Sequence, residues 1–318
     1  MISVTFRQIL GLVSLLCATW LYSQCRHIWL LAQDDFNEQF TNFLGEKWWS
    51  TDQLELCDDE TKDTKWQKND SICITYVYNM LPVDMEIISW APTLVIYRNL
   101  MSPRQTASFL NFIEQRDLEI QKTSDFGTSI ETTHRRANGS FIPPEDSNVT
   151  VEIKMQAQKR IPGLNLTVAE HFSALSYLPG GHYAVHYDYL DYRSKQDYDW
   201  WMNKTGNRIG TLIFVLKPAE KGGGTVFPSI GSTVRANAGD AFFWFNAQAD
   251  EEKEMLSNHG GCPIYEGRKV IATIWIRAYN QRILPMAPAG SSIHASWLIP
   301  SLSNRFRPEM QTQSPVPN

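Results

Sequence analysis

Four side chains in this sequence could do chemistry together. His186 and Asp188 stand two residues apart in the stretch Tyr177 to Asp188; His259 follows an acidic run from Asp250 to Glu254, and Lys269 comes ten residues later. Two imidazoles and one carboxylate are the protein ligands of a non-haem iron(II) site, which leaves neighbouring positions open for a bidentate co-substrate and for oxygen. If that co-substrate is a 2-oxo dicarboxylate, its far carboxylate needs a buried cation. Lys269, at the mouth of an otherwise apolar strand, is the candidate, because a ligand carboxylate would remove the cost of burying its ammonium.

Positioning these groups requires strands. Residues 182 to 188 follow the hinge Pro179-Gly180-Gly181, and as a strand they would put His182, Ala184, His186 and Asp188 on one face. His182 is read as a structural residue rather than a fourth ligand. Lys269, Ile271, Thr273 and Trp275 likewise share a face of the strand predicted from Lys269 to Ile276. Short apolar runs with glycine punctuation fill residues 172 to 279, including Ile209 to Leu216 and Ala241 to Phe245. Upstream, Glu86 to Arg98 reads as a pair of strand pieces, Ser102-Pro103 opens a helix through Ile113, and a second helix is predicted from about Asn148 to Arg160. The expected fold class is α+β, with a double-stranded β-helix (jelly-roll) core and flanking N-terminal helices.

At 318 residues and 43% hydrophobic content the chain can build one substantial core or two modest ones, and its net charge of -5 without a basic run excludes a nucleic-acid partner. Arg7 precedes an apolar run from Ile9 to Leu21, the length of a signal-peptide core and too short for a stable membrane span. Sequons at Asn69, Asn138, Asn148, Asn165 and Asn203 fit the secretory pathway. Cys57 and Cys73 sit in a polar segment with little core of its own, where a disulfide would act as a staple, and Cys262 reads as a small buried residue. The expected organisation is a signal peptide over 1–23, an N-terminal extension closed by Cys57 and Cys73 over 24–84, a catalytic domain over 85–281 and a flexible Pro/Ser-rich tail over 282–318.

The ordered residues Tyr177, Gly180-Gly181, Tyr183, His186-x-Asp188, Thr205-Gly206-Asn207-Arg208, Gly223-Gly224-Thr225-Val226-Phe227-Pro228, Phe243-Trp244-Phe245-Asn246, His259-x-x-Cys262-Pro263, Lys269 and Trp275 resemble the collagen-type prolyl 4-hydroxylase α subunits. These belong to the 2-oxoglutarate- and iron-dependent dioxygenases. The resemblance covers about residues 85 to 280. It implies that His186, Asp188 and His259 bind Fe(2+), that Lys269 pairs with 2-oxoglutarate, and that the hydroxyls of Tyr177 and Thr211 hydrogen-bond the same co-substrate. It also implies L-ascorbate as the reductant that rescues oxidised iron. Lysine rather than arginine at the co-substrate position favours the prolyl over the lysyl branch. The sequence departs from the pattern at Ala184-Val185, Gly260-Gly261 and Val270, which bears on substrate preference.

The implied activity is C4 hydroxylation of peptidyl proline in collagen-like X-Pro-Gly sequences, within the endoplasmic reticulum lumen or secretory pathway. Another peptidyl target, lysine or a non-collagen proline, is an alternative, as is a non-catalytic collagen-binding chaperone. Only about 50 residues separate the signal from the catalytic region, too few for the dimerisation and peptide-binding domains of the long forms, so their disulfide isomerase β subunit does not carry over directly. The aromatic loop from Asp191 to Asn207, with Trp200 and Trp201, could form a lid or a stacking surface for a proline-rich peptide.

Overall fold

The computed structural model describes residues 19–24, 48–58, 72–125, 128–130 and 132–300. The chain separates into a unit over 1–50 and a unit over 51–318. In the first, residues 19–24 are helical, and no helix among the described residues is long and apolar enough to cross a membrane. The greater part of the expected signal peptide, the sequon at Asn69 and the chain beyond residue 300 lie outside the described residues.

The second unit is built on two antiparallel sheets. The larger runs in the order Ile72–Tyr78, Leu81–Ser89, Leu94–Arg98, Ala241–Phe245, Arg208–Lys217, Lys269–Arg277, Phe172–Tyr177, Asn138–Ile142, Glu119–Ile120. The smaller runs Ser232–Val234, Thr225–Phe227, His259–Gly261, His182–His186, Arg135–Arg136. The central strands of the large sheet are apolar without alternation because both of their faces are covered. On Arg208–Lys217, Leu212, Phe214 and Leu216 join a core shared with Phe109, Ile113, Ile153 and Ala157 of the helices. Ile213 and Val215, pointing the other way, join Phe227 and Val234 of the smaller sheet. The result is the expected jelly-roll core with helices on its outer face.

Both predicted helices form. Pro103–Glu114 starts at Ser102, whose hydroxyl accepts from the Gln105 N–H while the Gln105 side chain accepts from the Ser102 N–H. Asn148–Arg160 starts at Ser147, whose hydroxyl accepts from Val149 N–H.

Three expectations need correction. Cys57 pairs with Cys262, not with Cys73. The segment holding Cys73 is an edge strand, Ile72–Tyr78, hydrogen-bonded to Leu81–Ser89, so it needs no staple and leaves its thiol exposed and free. The helix Thr51–Asp58 instead docks beside the smaller sheet, where Thr233 Oγ1 donates to Leu56 O at 2.7 Å and Tyr265 OH to Asp58 Oδ1 at 3.0 Å. The boundary at residue 84 therefore cuts through one sheet. The third correction is the tail: Ile283, Leu284, Ile293, Ala295, Leu298 and Ile299 are buried in the main core. Thr93 Oγ1 donates to Ile293 O at 2.6 Å, and Ala295 N–H to Trp90 O at 2.8 Å. Their burial follows no helix or strand period, so composition alone made them resemble a linker.

Candidate active site

The strand His182–His186 pairs antiparallel with His259–Gly261, and His186 stands opposite His259 in the register. Between Tyr183 and His186 the register shifts. That irregularity breaks the period of two, a frequent way of re-aiming a side chain beside a site. Tyr183, His186 and Asp188 consequently line the inner pocket, while Ala184 is buried outside its lining. The expectation that Ala184 shares the face of His186 and Asp188 is thus corrected, and His182 does not join the ligand group either: it is fully buried, and burial, then Arg136 and His134, push its pKa down to about 4.

One ligand atom from each of His186, Asp188 and His259 lies within 4.8 Å of the others. His186 Nδ1 sits 2.8 Å from Ala184 O, and His259 Nδ1 sits 3.0 Å from Ser257 O. A carbonyl can only accept, so each Nδ1 carries a proton and Nε2 is the ring nitrogen left to bind a metal. Burial, then His186, push His259 down to about 4 despite the opposing pull of Asp188, which keeps it neutral at physiological pH. Burial by itself would raise the Asp188 carboxyl, but His259, His186 and Arg208 outweigh it and hold it well below the usual carboxylate range. Two imidazoles and an ionised carboxylate are the donor set iron(II) takes while keeping positions open. These three residues could hold it.

Lys269 lies in the same pocket and is register-paired with Tyr177 across adjacent strands of the large sheet. Its Nζ donates to Gly223 O at 2.6 Å and to Thr225 Oγ1 at 3.4 Å, both neutral oxygens, and lies 5.9 Å from the centre of the Tyr177 ring. Burial pushes the ammonium down to about 8. A buried lysine without a carboxylate among its partners fits an anionic co-substrate, and 2-oxoglutarate is the anion that matches the triad. Tyr177 lines the pocket and is buried, and burial raises its hydroxyl pKa. Lys269, Ile271, Thr273 and Trp275 all line it, as the strand period requires.

Thr211 is placed differently from its expected co-substrate role. Its hydroxyl donates to Asp188 Oδ2 at 2.7 Å and accepts from Asn246 Nδ2 at 2.8 Å, and it is not among the residues lining the pocket.

Beyond Asp188 the pocket opens into a groove of about 710 Å³ lined by Tyr183, Tyr187, Tyr189, Trp275, Arg208 and the exposed Ile120 and Phe141. Arg208 stacks on Trp275 at 3.8 Å from the ring centre, and its Nε and Nη2 donate to the two Glu170 oxygens at 2.7 and 2.8 Å. Glu170 also pairs with the buried Arg277 at 2.7 Å. Lys253, held by Asp191, lies over the rings of Tyr187 and Tyr189. Trp200 and Trp201, expected to form a lid or a stacking surface, are absent from this lining: Trp201 turns its ring toward His171, and Trp200 is exposed.

Sequence reasoning missed Arg135, which lines both pocket and groove, holds its guanidinium 4.7 Å from the Tyr183 ring centre and donates to Lys122 O at 3.2 Å. No motif surrounds it, and only its pairing beside the ligand strand brings it to the site. Of the sequons, Asn138, Asn148 and Asn203 are exposed and Asn165 is half-buried.

Residues 172–277 match the model of the 2OG-Fe(II) oxygenase superfamily. That stretch, a third of the chain, is similar to a 2OG-Fe(II) oxygenase domain. Among curated relatives, prolyl 4-hydroxylase subunit alpha-2 of Caenorhabditis elegans is 25% identical over 206 residues, 64% of this chain and 37% of that one. Prolyl 4-hydroxylase subunit alpha-1 of Homo sapiens is 28% identical over 192 residues, 60% of this chain and 35% of that one. Probable prolyl 4-hydroxylase 7 of Arabidopsis thaliana is 28% identical over 228 residues, 63% of this chain and 69% of that one. The chain spans little more than a third of the length of the two animal subunits. Among solved structures, the 2OG complex of the viral collagen prolyl hydroxylase from Paramecium Bursaria Chlorella virus-1 aligns with a TM-score of 0.45 at 24% identity, covering 58% of this chain and 96% of that one. All three ligand residues and Lys269 fall inside the matched domain.

Proposed function

We propose that this chain is a 2-oxoglutarate-dependent prolyl hydroxylase that acts on C4 of proline in an extended, proline-rich polypeptide. The observation that carries the reading is a single pocket that holds two imidazoles and a carboxylate at one place and, at another, a buried lysine whose hydrogen-bond partners are neutral oxygens. The relatives named prolyl 4-hydroxylases support the proline target, and collagen-like X-Pro-Gly sequence is the substrate we infer.

Iron(II) with 2-oxoglutarate, when bound, supplies the oxidative decarboxylation that gives succinate and carbon dioxide and delivers one oxygen atom to a C–H bond. The protein's own residues do the rest. His186, Asp188 and His259 would hold the metal, and Lys269, with Tyr177 beside it, would neutralise and orient the far carboxylate of the co-substrate. The apolar walls Ile213, Ile271 and Trp275 exclude water from the reacting region. The aromatic groove outside fits a polyproline II chain, whose flat ring faces stack on tyrosine and tryptophan.

Ascorbate as a reductant and residence in the secretory pathway belong to the same proposal. The Cys57–Cys262 disulfide supports an oxidising compartment. Fe(II)- and 2-oxoglutarate-dependent succinate release with a repeating Pro-Pro-Gly peptide tests the function. Hydroxyproline in that peptide is the expected product; hydroxylysine in a lysine-bearing peptide, with proline untouched, would replace this reading by the lysyl one.

A further inference from the structure

The contacts around Asp188 point to a residue that neither the triad nor the co-substrate uses directly. Asn246 lies just past the strand Ala241–Phe245, fully buried, and its backbone is pinned on both sides: its N–H donates to Ile209 O at 2.8 Å and its carbonyl accepts from Glu254 N–H at 2.9 Å. Its side chain donates from Nδ2 to Thr211 Oγ1 at 2.8 Å, and Thr211 donates to Asp188 Oδ2 at 2.7 Å. Thr211 is itself fully buried.

The direction of this chain is fixed by chemistry. An ionised carboxylate has no proton to give, so the Thr211 hydroxyl must spend its single proton on Asp188. The hydroxyl oxygen can then only accept, which requires the Asn246 amide to face it with N–H rather than carbonyl oxygen. Were the amide turned over, its oxygen would compete with Asp188 for the same proton. We propose that Asn246, acting through Thr211, is a positioning residue that orients the Asp188 carboxylate as a metal ligand. The bond ties down one carboxylate oxygen and leaves the other open to the metal.

The inference rests on the reading of His186, Asp188 and His259 as the metal site, and it reassigns Thr211 from the co-substrate to the carboxylate. Partners that orient ligating groups govern metal affinity by about tenfold to a hundredfold. Thr211→Val has the shape of threonine without the hydroxyl, and Asn246→Asp has the shape of asparagine without the N–H donor.

The experiment is Mn2+ titration of the metal-free full chain without 2-oxoglutarate, followed by calorimetry, with thermal melting to confirm the fold of each variant. The expected result is Mn2+ affinity about tenfold or more weaker in Thr211→Val and in Asn246→Asp, restored in Thr211→Ser, which keeps the donor. Unchanged Mn2+ affinity in a folded Thr211→Val, with only the 2-oxoglutarate KM raised, would overturn the relay and return Thr211 to the co-substrate. A weakened Thr211→Val beside an unchanged Asn246→Asp would remove Asn246 from it. Should Asn246→Asp fail to fold, the valine and serine variants still decide whether Thr211 positions Asp188, and Asn246→Ser then reads the amide's part. Wild-type protein that binds no Mn2+, or His186→Ala that binds it as well as wild type, would overturn the metal site and the relay with it.

Discussion

At the scale of single residues the site is a set of protonation states held by burial and backbone. The Nδ1 protons of His186 and His259 are committed to Ala184 O and Ser257 O, so removing either imidazole takes away one of the three ligands grouped there. His186→Ala or His259→Ala should abolish iron-dependent succinate release. Lys269 makes a different prediction. Its ammonium is pushed down to about 8 by burial alone, and a bound carboxylate raises it again. Affinity for 2-oxoglutarate is therefore full below that value and falls as pH rises through it, by up to about tenfold per pH unit. Calorimetric titration one unit on either side measures it, and a flat profile would contradict the assignment. Lys269→Ala should raise the 2-oxoglutarate KM, on the scale of the 2 to 5 kcal/mol or so that losing one partner of a buried charge pair costs, while leaving Mn2+ binding intact.

At the scale of elements, two features hold the site's outer wall. Glu170 is shared between Arg208 and the buried Arg277, so Glu170→Gln leaves two guanidinium groups without their counter-charge. Breaking a buried ion pair from one side costs about 3 to 5 kcal/mol; denaturant unfolding should report a loss of that order. The Cys57–Cys262 bridge ties the helix Thr51–Asp58 to the segment three residues past His259. Paired replacement by serine should cost about 2 to 5 kcal/mol of stability.

The elements also show what was legible in the sequence. Helix starts at Ser102 and the strand periodicity of Lys269 to Trp275 were readable because local hydrogen bonding and a period of two dictate them. The shift between Tyr183 and His186 was not, since it is set by pairing with the neighbouring strand. The partner of Cys57 was hidden for the same reason, the bridge spanning 205 residues of sequence. Arg135 reaches the site only through the strand pair it belongs to.

At the scale of the whole molecule, the unit over 51–318 is a sandwich closed by chain from both of its ends. Cys73 to Tyr78 extend the large sheet at one edge, and residues 283 to 299 return to its core. Burying one large apolar side chain is worth about 1.5 to 3 kcal/mol, and Ile283, Leu284, Ile293, Leu298 and Ile299 are all buried. Their sum is comparable to the whole stability of a typical domain, about 5 to 15 kcal/mol. Truncation after Asn280 should therefore yield a protein without a cooperative melting transition, whereas a flexible tail would be lost without effect.

The central claim is that one pocket couples 2-oxoglutarate to a proline C–H bond. The most direct measurement incubates the full chain with Fe(II), 2-oxoglutarate, a Pro-Pro-Gly repeat peptide and isotopically labelled O2. Mass spectrometry then locates the label. One labelled oxygen on proline C4, another in succinate, and neither with Asp188→Ala, is the result this account predicts. Succinate formed at a rate indifferent to the peptide, with every proline unmodified, would contradict it.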